Sequence, residues 1–266
     1  MRSKLILGNW KMHFTVKQAV SFAGKLAAKP IPEGVTVGVI PHALALSEIA
    51  TLLQKTGLKL GAQNAYFQDE GAFTGEISMP MLRGIAKYVL VGHSERRHIF
   101  HESNELIRHK VAAAVRSGII PVLCIGETLV ERQHYHTKQV LTDQLVSGIA
   151  DLTSEEVAKI VVAYEPDWAI SDGKSFAKHD VATPEDAQKS SDIIRSNISE
   201  LYGQEVAKKV KVLYGGSANP DNAAAFLKCD GIDGLLPGGA SLNMATFWPM
   251  VEIAATTVPT KINVKK

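Results

Sequence analysis

A chain of 266 residues, 45% hydrophobic and 21% charged, can bury a core that needs neither disulfides nor a structural metal. Its net charge of +2 comes without a long run of one sign, which excludes a nucleic-acid stripe and a polybasic membrane patch. Asn9 and Lys11 interrupt the apolar run Leu5-Ile6-Leu7 long before a secretory core or membrane span would be complete, so a cytoplasmic protein is expected. Cys124 and Cys229 have no CxxC partner and read as reduced thiols.

Along the chain, short aliphatic runs alternate with stretches of helical spacing. Run 5–10 precedes helix 15–28, and run 35–41 precedes helix 43–56. Run 58–63 leads into a long connection, 63–77, and run 88–92 precedes helix 103–117. The second half repeats the pattern: 119–125 with 129–150, 159–165 with 183–203, 210–214 with 219–228, and 232–237 with 241–256. Thr183-Pro184-Glu185-Asp186 has a hydroxyl cap, a first-position proline and first-turn acids, and Asn219-Pro220-Asp221 repeats the device. Strands apolar on both faces suit a parallel sheet covered by helices. Eight strand–helix units in about 250 residues predict an α/β fold, a single (β/α)8 barrel forming one domain over 1–266. A doubly wound open sheet is the alternative, weakened because Gly8-Asn9-Trp10-Lys11 stands where a GxGxxG would follow the first strand.

Polar residues cluster where these runs end. Lys11 follows the first run, His93 the fourth and Glu165 the sixth. A parallel barrel collects such positions on one face. Glu165 there can act as a general base if partly desolvated; a capping or salt-bridged glutamate is the plain alternative. His93 precedes the helix start Ser94-Glu95-Arg96, where the helix dipole disfavours an imidazolium; otherwise it is a structural histidine. Lys11 taken alone could be a surface lysine. Tyr214-Gly215-Gly216-Ser217 and Leu236-Pro237-Gly238-Gly239 follow the last two strands, where barrels commonly hold phosphate and glycine lets the backbone approach an anion. The pairs His98/His101 and His134/His136 are expected on helix surfaces as solvated side chains rather than metal ligands.

Several long strings resemble the triosephosphate isomerase family from Leu5 to about Ala255. They include Gly8-Asn9-Trp10-Lys11-Met12, Gly61-Ala62-Gln63-Asn64, Gly71-Ala72-Phe73-Thr74-Gly75-Glu76 and Val91-Gly92-His93-Ser94-Glu95-Arg96-Arg97. Pro121 through Glu127, Ala163-Tyr164-Glu165-Pro166, Tyr214-Gly215-Gly216-Ser217 and Gly238-Gly239-Ala240-Ser241-Leu242 follow in the same order. The resemblance implies interconversion of dihydroxyacetone phosphate and glyceraldehyde 3-phosphate without cofactor or metal. It implies Glu165 as base, His93 as electrophile, and Asn9 and Lys11 as substrate contacts. Phosphate would be bound at residue 171, Ser217, Gly238 and Gly239. It also implies a homodimer in which loop 63–77 enters the partner and Thr74 reaches its active site.

The resemblance is least close around the expected lid, Pro166 to Lys174. Ser171-Asp172-Gly173 stands where the family usually carries Gly-Thr-Gly, segment 175–182 extends the second hinge, and Pro237 replaces a residue that is usually valine. Serine in a left-handed conformation costs roughly 1–2 kcal/mol more than glycine. Asp172 would add a repulsion on the order of 1–2 kcal/mol against a phosphate dianion. An isomerase of a four-carbon ketose phosphate on the same barrel is therefore the alternative substrate reading, and a barrel retained only for binding is the non-catalytic one.

Overall fold

The computed structural model describes residues 3–169 and 182–258. Its strands are β1 (Lys4–Asn9), β2 (Val35–Ile40), β3 (Lys59–Ala62), β4 (Tyr88–Val91), β5 (Ile120–Ile125), β6 (Val161–Tyr164), β7 (Lys211–Tyr214) and β8 (Gly234–Leu235). They form one closed barrel in sequence order, and β1 closes it by pairing parallel to both β2 and β8. The expected (β/α)8 barrel is the architecture found.

Two-residue periodicity divides the apolar side chains into two clusters. Leu5, Leu7, Leu90, Val122, Cys124, Val161, Ala163 and Leu213 fill one of them, inside the barrel. Their neighbours Ile6, Val89, Val91, Leu123, Ile125, Val162 and Tyr164 belong to the larger cluster beneath the helices. Both faces of each strand are thus covered, which is why the strands read as continuous apolar runs. The interior series continue past the strand ends. Leu5 and Leu7 lead to Asn9, Val161 and Ala163 lead to Glu165, and Leu213 leads to Gly215. The alternation that packs the barrel thereby aims polar groups into its mouth.

The helices over Pro184–Tyr202 and Pro220–Leu227 begin as expected, with capping boxes from Thr183 to Asp186 and from Asn219 to Asn222. Two expectations need correction. Strand 232–237 shortens to β8, and Pro237, which has no N–H to donate, lies beyond its end. Helix 129–150 divides into Leu129–Gln133 and Thr137–Ile149 around Tyr135, which has φ 61°. His134-Tyr135-His136 are poor helix formers, and apolar spacing resumes in phase after the break, so periodicity alone conceals it. His134 and His136 consequently lie in that break, and His101 lies outside any helix; all three are exposed.

Candidate active site

Lys11, His93 and Glu165 come together at the C-terminal mouth of the barrel. Glu165 is 2% exposed, and its main-chain N–H donates to Ile125 across the β5–β6 seam. Its Oε2 accepts from the Ser94 N–H at 3.0 Å, while Oε1 lies 3.5 Å from His93 Nε2. Space for it depends on Gly215, where a Cβ would meet Glu165 Cγ at 2.8 Å. Cys124, fully buried behind it, has its thiol pushed well above the usual value by burial and then by the Glu165 charge. That cysteine therefore serves as packing and not as a nucleophile.

His93 caps the helix Ser94–His98, and its Nδ1 accepts from the Glu95 N–H at 3.2 Å. An accepting Nδ1 leaves the proton of the neutral ring on Nε2, the nitrogen that faces Glu165. Arg97 holds this corner from behind, donating to the Gly92 and Cys124 carbonyls at 2.7 and 2.9 Å. Burial lowers its guanidinium to about 10, with neighbouring Cys124, Glu165 and Glu102 opposing, so it stays charged at neutral pH.

Lys11 adopts a left-handed backbone, φ 49°, stabilised by its N–H to Asn9 Oδ1 at 3.0 Å and by Gln63 donating to its carbonyl at 2.7 Å. Its Nζ meets Glu95 Oε1 at 2.7 Å. Half-burial tends to raise the Glu95 carboxyl, but the Lys11 bond and nearby positive charge outweigh it, so the net shift is downward. Sequence reasoning missed Glu95 and Gln63. Both occur in the quoted strings, yet no spacing rule ties either to Lys11.

A cleft of about 210 Å³ opens beside these groups, lined by Asn9, Lys11, His93, Ser217, Gly238 and Gly239 among others. Ser217 is already engaged: its Oγ and N–H both donate to the Ala169 carbonyl, at 2.7 and 3.3 Å. The first part of the expected lid, 166–169, is anchored through Glu127, which accepts from Tyr164 Oη at 3.1 Å and Trp168 Nε1 at 2.9 Å. Arg132 lies 4.1 Å over the Trp168 ring. Burial raises the Glu127 carboxyl, with the Trp168 bond chief among the opposing contacts. Ser171, Asp172 and the extension up to residue 181 lie outside the described residues.

A second cleft of about 430 Å³ adjoins the first, sharing Asn9, Lys11 and His93 and bounded by Gln63, Gly75, Glu95 and Phe100. Met12, which lines it, is 96% exposed, and Met81, just after loop 63–77, is 60% exposed. Among the described residues no helix is long and apolar enough to cross a membrane.

A buried carboxylate, a histidine donor, a lysine cation and glycine turns at the mouth of a parallel barrel define the class of sugar-phosphate isomerases that move a proton between carbons. Residues 4–254 match the family model described as triosephosphate isomerase. The triosephosphate isomerase of Dictyoglomus thermophilum is 44% identical over 255 residues, covering 95% of this chain and 100% of the relative. That of Carboxydothermus hydrogenoformans is likewise 44% identical, over 95% of this chain and 99% of its own length. The Chlorobaculum tepidum enzyme is 43% identical over 94% of this chain. The chain belongs to the triosephosphate isomerase family.

Proposed function

We propose that this chain interconverts dihydroxyacetone phosphate and D-glyceraldehyde 3-phosphate through an enediolate. The supporting observation is the convergence of Glu165, His93 and Lys11 at one mouth of the barrel, with Glu165 Oε1 3.5 Å from His93 Nε2 and both His93 and Lys11 lining the cleft. Glu165 leaves the Ser94 N–H and removes a proton from carbon 1. The C–H electrons become the carbon 1–carbon 2 double bond, and the carbonyl electrons collect on oxygen 2. His93, donating from Nε2, and the Lys11 cation stabilise that oxyanion. Glu165 then protonates carbon 2, the proton it holds being open to exchange with solvent, while the imidazole moves a proton between the two oxygens. A carboxylate with few competing donors, on an arm that reaches both carbons, suits the base role.

Gly238 and Gly239 receive the phosphate through main-chain N–H groups, with Asn9 and Lys11 completing the pocket. Ser217 contributes once its bonds to Ala169 are exchanged, and the backbone of Ser171 is a fourth expected contact. The enediolate loses phosphate in water, so the cleft must be shielded during turnover. The protein works as a homodimer, with loop 63–77 of one copy beside the second cleft of the other. The exposed Met12, Phe73 and Met81 and the solvent-facing Thr74 support that arrangement.

Comparing kcat/KM of the purified protein for dihydroxyacetone phosphate and for a four-carbon ketose phosphate tests the substrate. The three-carbon compound should be preferred by at least about tenfold, because an added hydroxymethylene must displace packed groups. Equal or reversed preference would transfer the chain to the four-carbon class.

A further inference from the structure

We propose that Ser241 is a positioning residue that aims the main-chain donor of the anion turn; this rests on reading Gly238–Gly239 as the phosphate contact. Ser241 is 0% exposed, so no substrate atom reaches it. Its Oγ lies 2.6 Å from the Gly238 carbonyl and its N–H donates to the same oxygen at 2.8 Å. The Asn9 carbonyl is 3.3 Å from that Oγ. One hydroxyl proton faces two acceptors, and the shorter contact takes it.

Two donors on the Gly238 carbonyl fix the plane of the Gly238–Gly239 peptide. No peptide bond among the described residues is cis, and in a trans peptide the C=O and the following N–H point opposite ways. A carbonyl drawn inward to Ser241 therefore turns the Gly239 N–H the opposite way, and Gly239 itself lines the cleft, where a Cβ on it would meet nothing within 4 Å. The preceding peptide is held in the same manner. The Pro237 carbonyl accepts from the Asn9 N–H at 2.9 Å, which turns the Gly238 N–H away from β1. Ser241 thus aims one donor of the turn as Asn9 aims the other.

Packing leaves Ser241 little freedom. A Cβ on Gly8 would meet Ser241 Cβ at 2.9 Å, and one on Gly238 would meet Lys11 Cε at 3.2 Å. The buried hydroxyl consequently also sets the spacing between the turn and the end of β1, where Asn9 and Lys11 sit. A phosphate bound to these donors would feel any rotation of the peptide as a weaker hydrogen bond.

The test compares wild type with Ser241→Ala and Ser241→Cys. Three quantities are measured: the inhibition constant for inorganic phosphate, the KM for dihydroxyacetone phosphate, and kcat/KM for unphosphorylated glyceraldehyde. Removing the hydroxyl should weaken inorganic phosphate and raise the KM by about three- to tenfold each, as expected when a charge-assisted hydrogen bond loses part of its strength. The ratio of kcat/KM between phosphorylated and unphosphorylated substrate should fall by the same factor. Ser241→Cys keeps a side-chain donor, though a weak one on a larger atom, so it should fall between the two, and it carries the test if the alanine variant does not fold. Unchanged phosphate affinity in the folded variant, or equal losses on both substrates, would overturn the proposal. If wild type neither turns over the phosphorylated triose nor is inhibited by phosphate, the functional reading itself fails.

Discussion

Glu165 illustrates how one side chain depends on its surroundings. It is buried among apolar strands yet retains the Ser94 N–H on one oxygen and faces the His93 ring with the other. Shortening it by one methylene in Glu165→Asp draws the carboxylate back by roughly 1 Å, enough to lower kcat about 100-fold or more. The fold should be preserved, as circular dichroism can verify, and a folded variant with near-normal kcat would remove Glu165 from the mechanism. Glu95 makes a different prediction. Its carboxyl lies below the ordinary value because Lys11 outweighs the effect of burial. A depressed folded value stabilises the protein above the unfolded carboxyl range, and that stability is lost as pH falls through the folded value. The pair is partly exposed, so the contribution is under about 1 kcal/mol. Urea midpoints from pH 6 down to pH 3 should thus fall less steeply for Glu95→Gln than for wild type. Parallel slopes would mean that the Lys11 contact contributes nothing to folding.

Loop 63–77 is the element whose form points beyond the single chain. Tyr66 packs at a tilt against Phe67 and Phe73, with ring centroids 4.6 and 4.8 Å apart, and Arg116 pairs with Asp69 at 2.8 Å, so the base of the loop is tethered while residues 71–76 are exposed. Thr74→Arg puts a charge at that tip. Sedimentation of wild type at micromolar concentration should give twice 28.7 kDa, and the variant should shift toward one copy with reduced activity. A fully active wild-type monomer would assign the loop another task. At this scale the sequence was legible wherever apolar runs and caps coincide, as at Thr183 and Asn219. It was not legible where a backbone exception ends an element. Pro237 lies beyond a two-residue β8, and Tyr135 interrupts a helix whose apolar spacing runs on undisturbed. Lys11, His93 and Glu165 could be located because strand ends locate them. Glu95 and Gln63 act through contacts distant in sequence, of which local pattern carries no trace, and Ser241 acts on a carbonyl three residues before it in a turn that no helical or strand period marks.

Over the whole molecule, the barrel separates chemistry from support. The C-terminal mouth gathers the imidazole, lysine and glycine turns around one cleft, with the Glu165 carboxylate buried beside the imidazole. At the opposite end, Arg195 meets Asp233 at 2.7 Å and donates to the Ala207, Val210 and Gly231 carbonyls, closing the base of β7 and β8. This division is the one expected of parallel barrels, where the C-terminal face reacts and the other stabilises. A proton carried between adjacent carbons by the Glu165 carboxylate is open to exchange with solvent, whereas a hydride passed directly is not. The two routes are separated by letting the chelator-treated protein convert dihydroxyacetone phosphate in deuterium oxide and recording deuterium at carbon 2 of the product. Conversion with solvent deuterium incorporated at that carbon is the expected result. Conversion with no solvent deuterium in product or recovered substrate would indicate direct hydride transfer and overturn the carboxylate route.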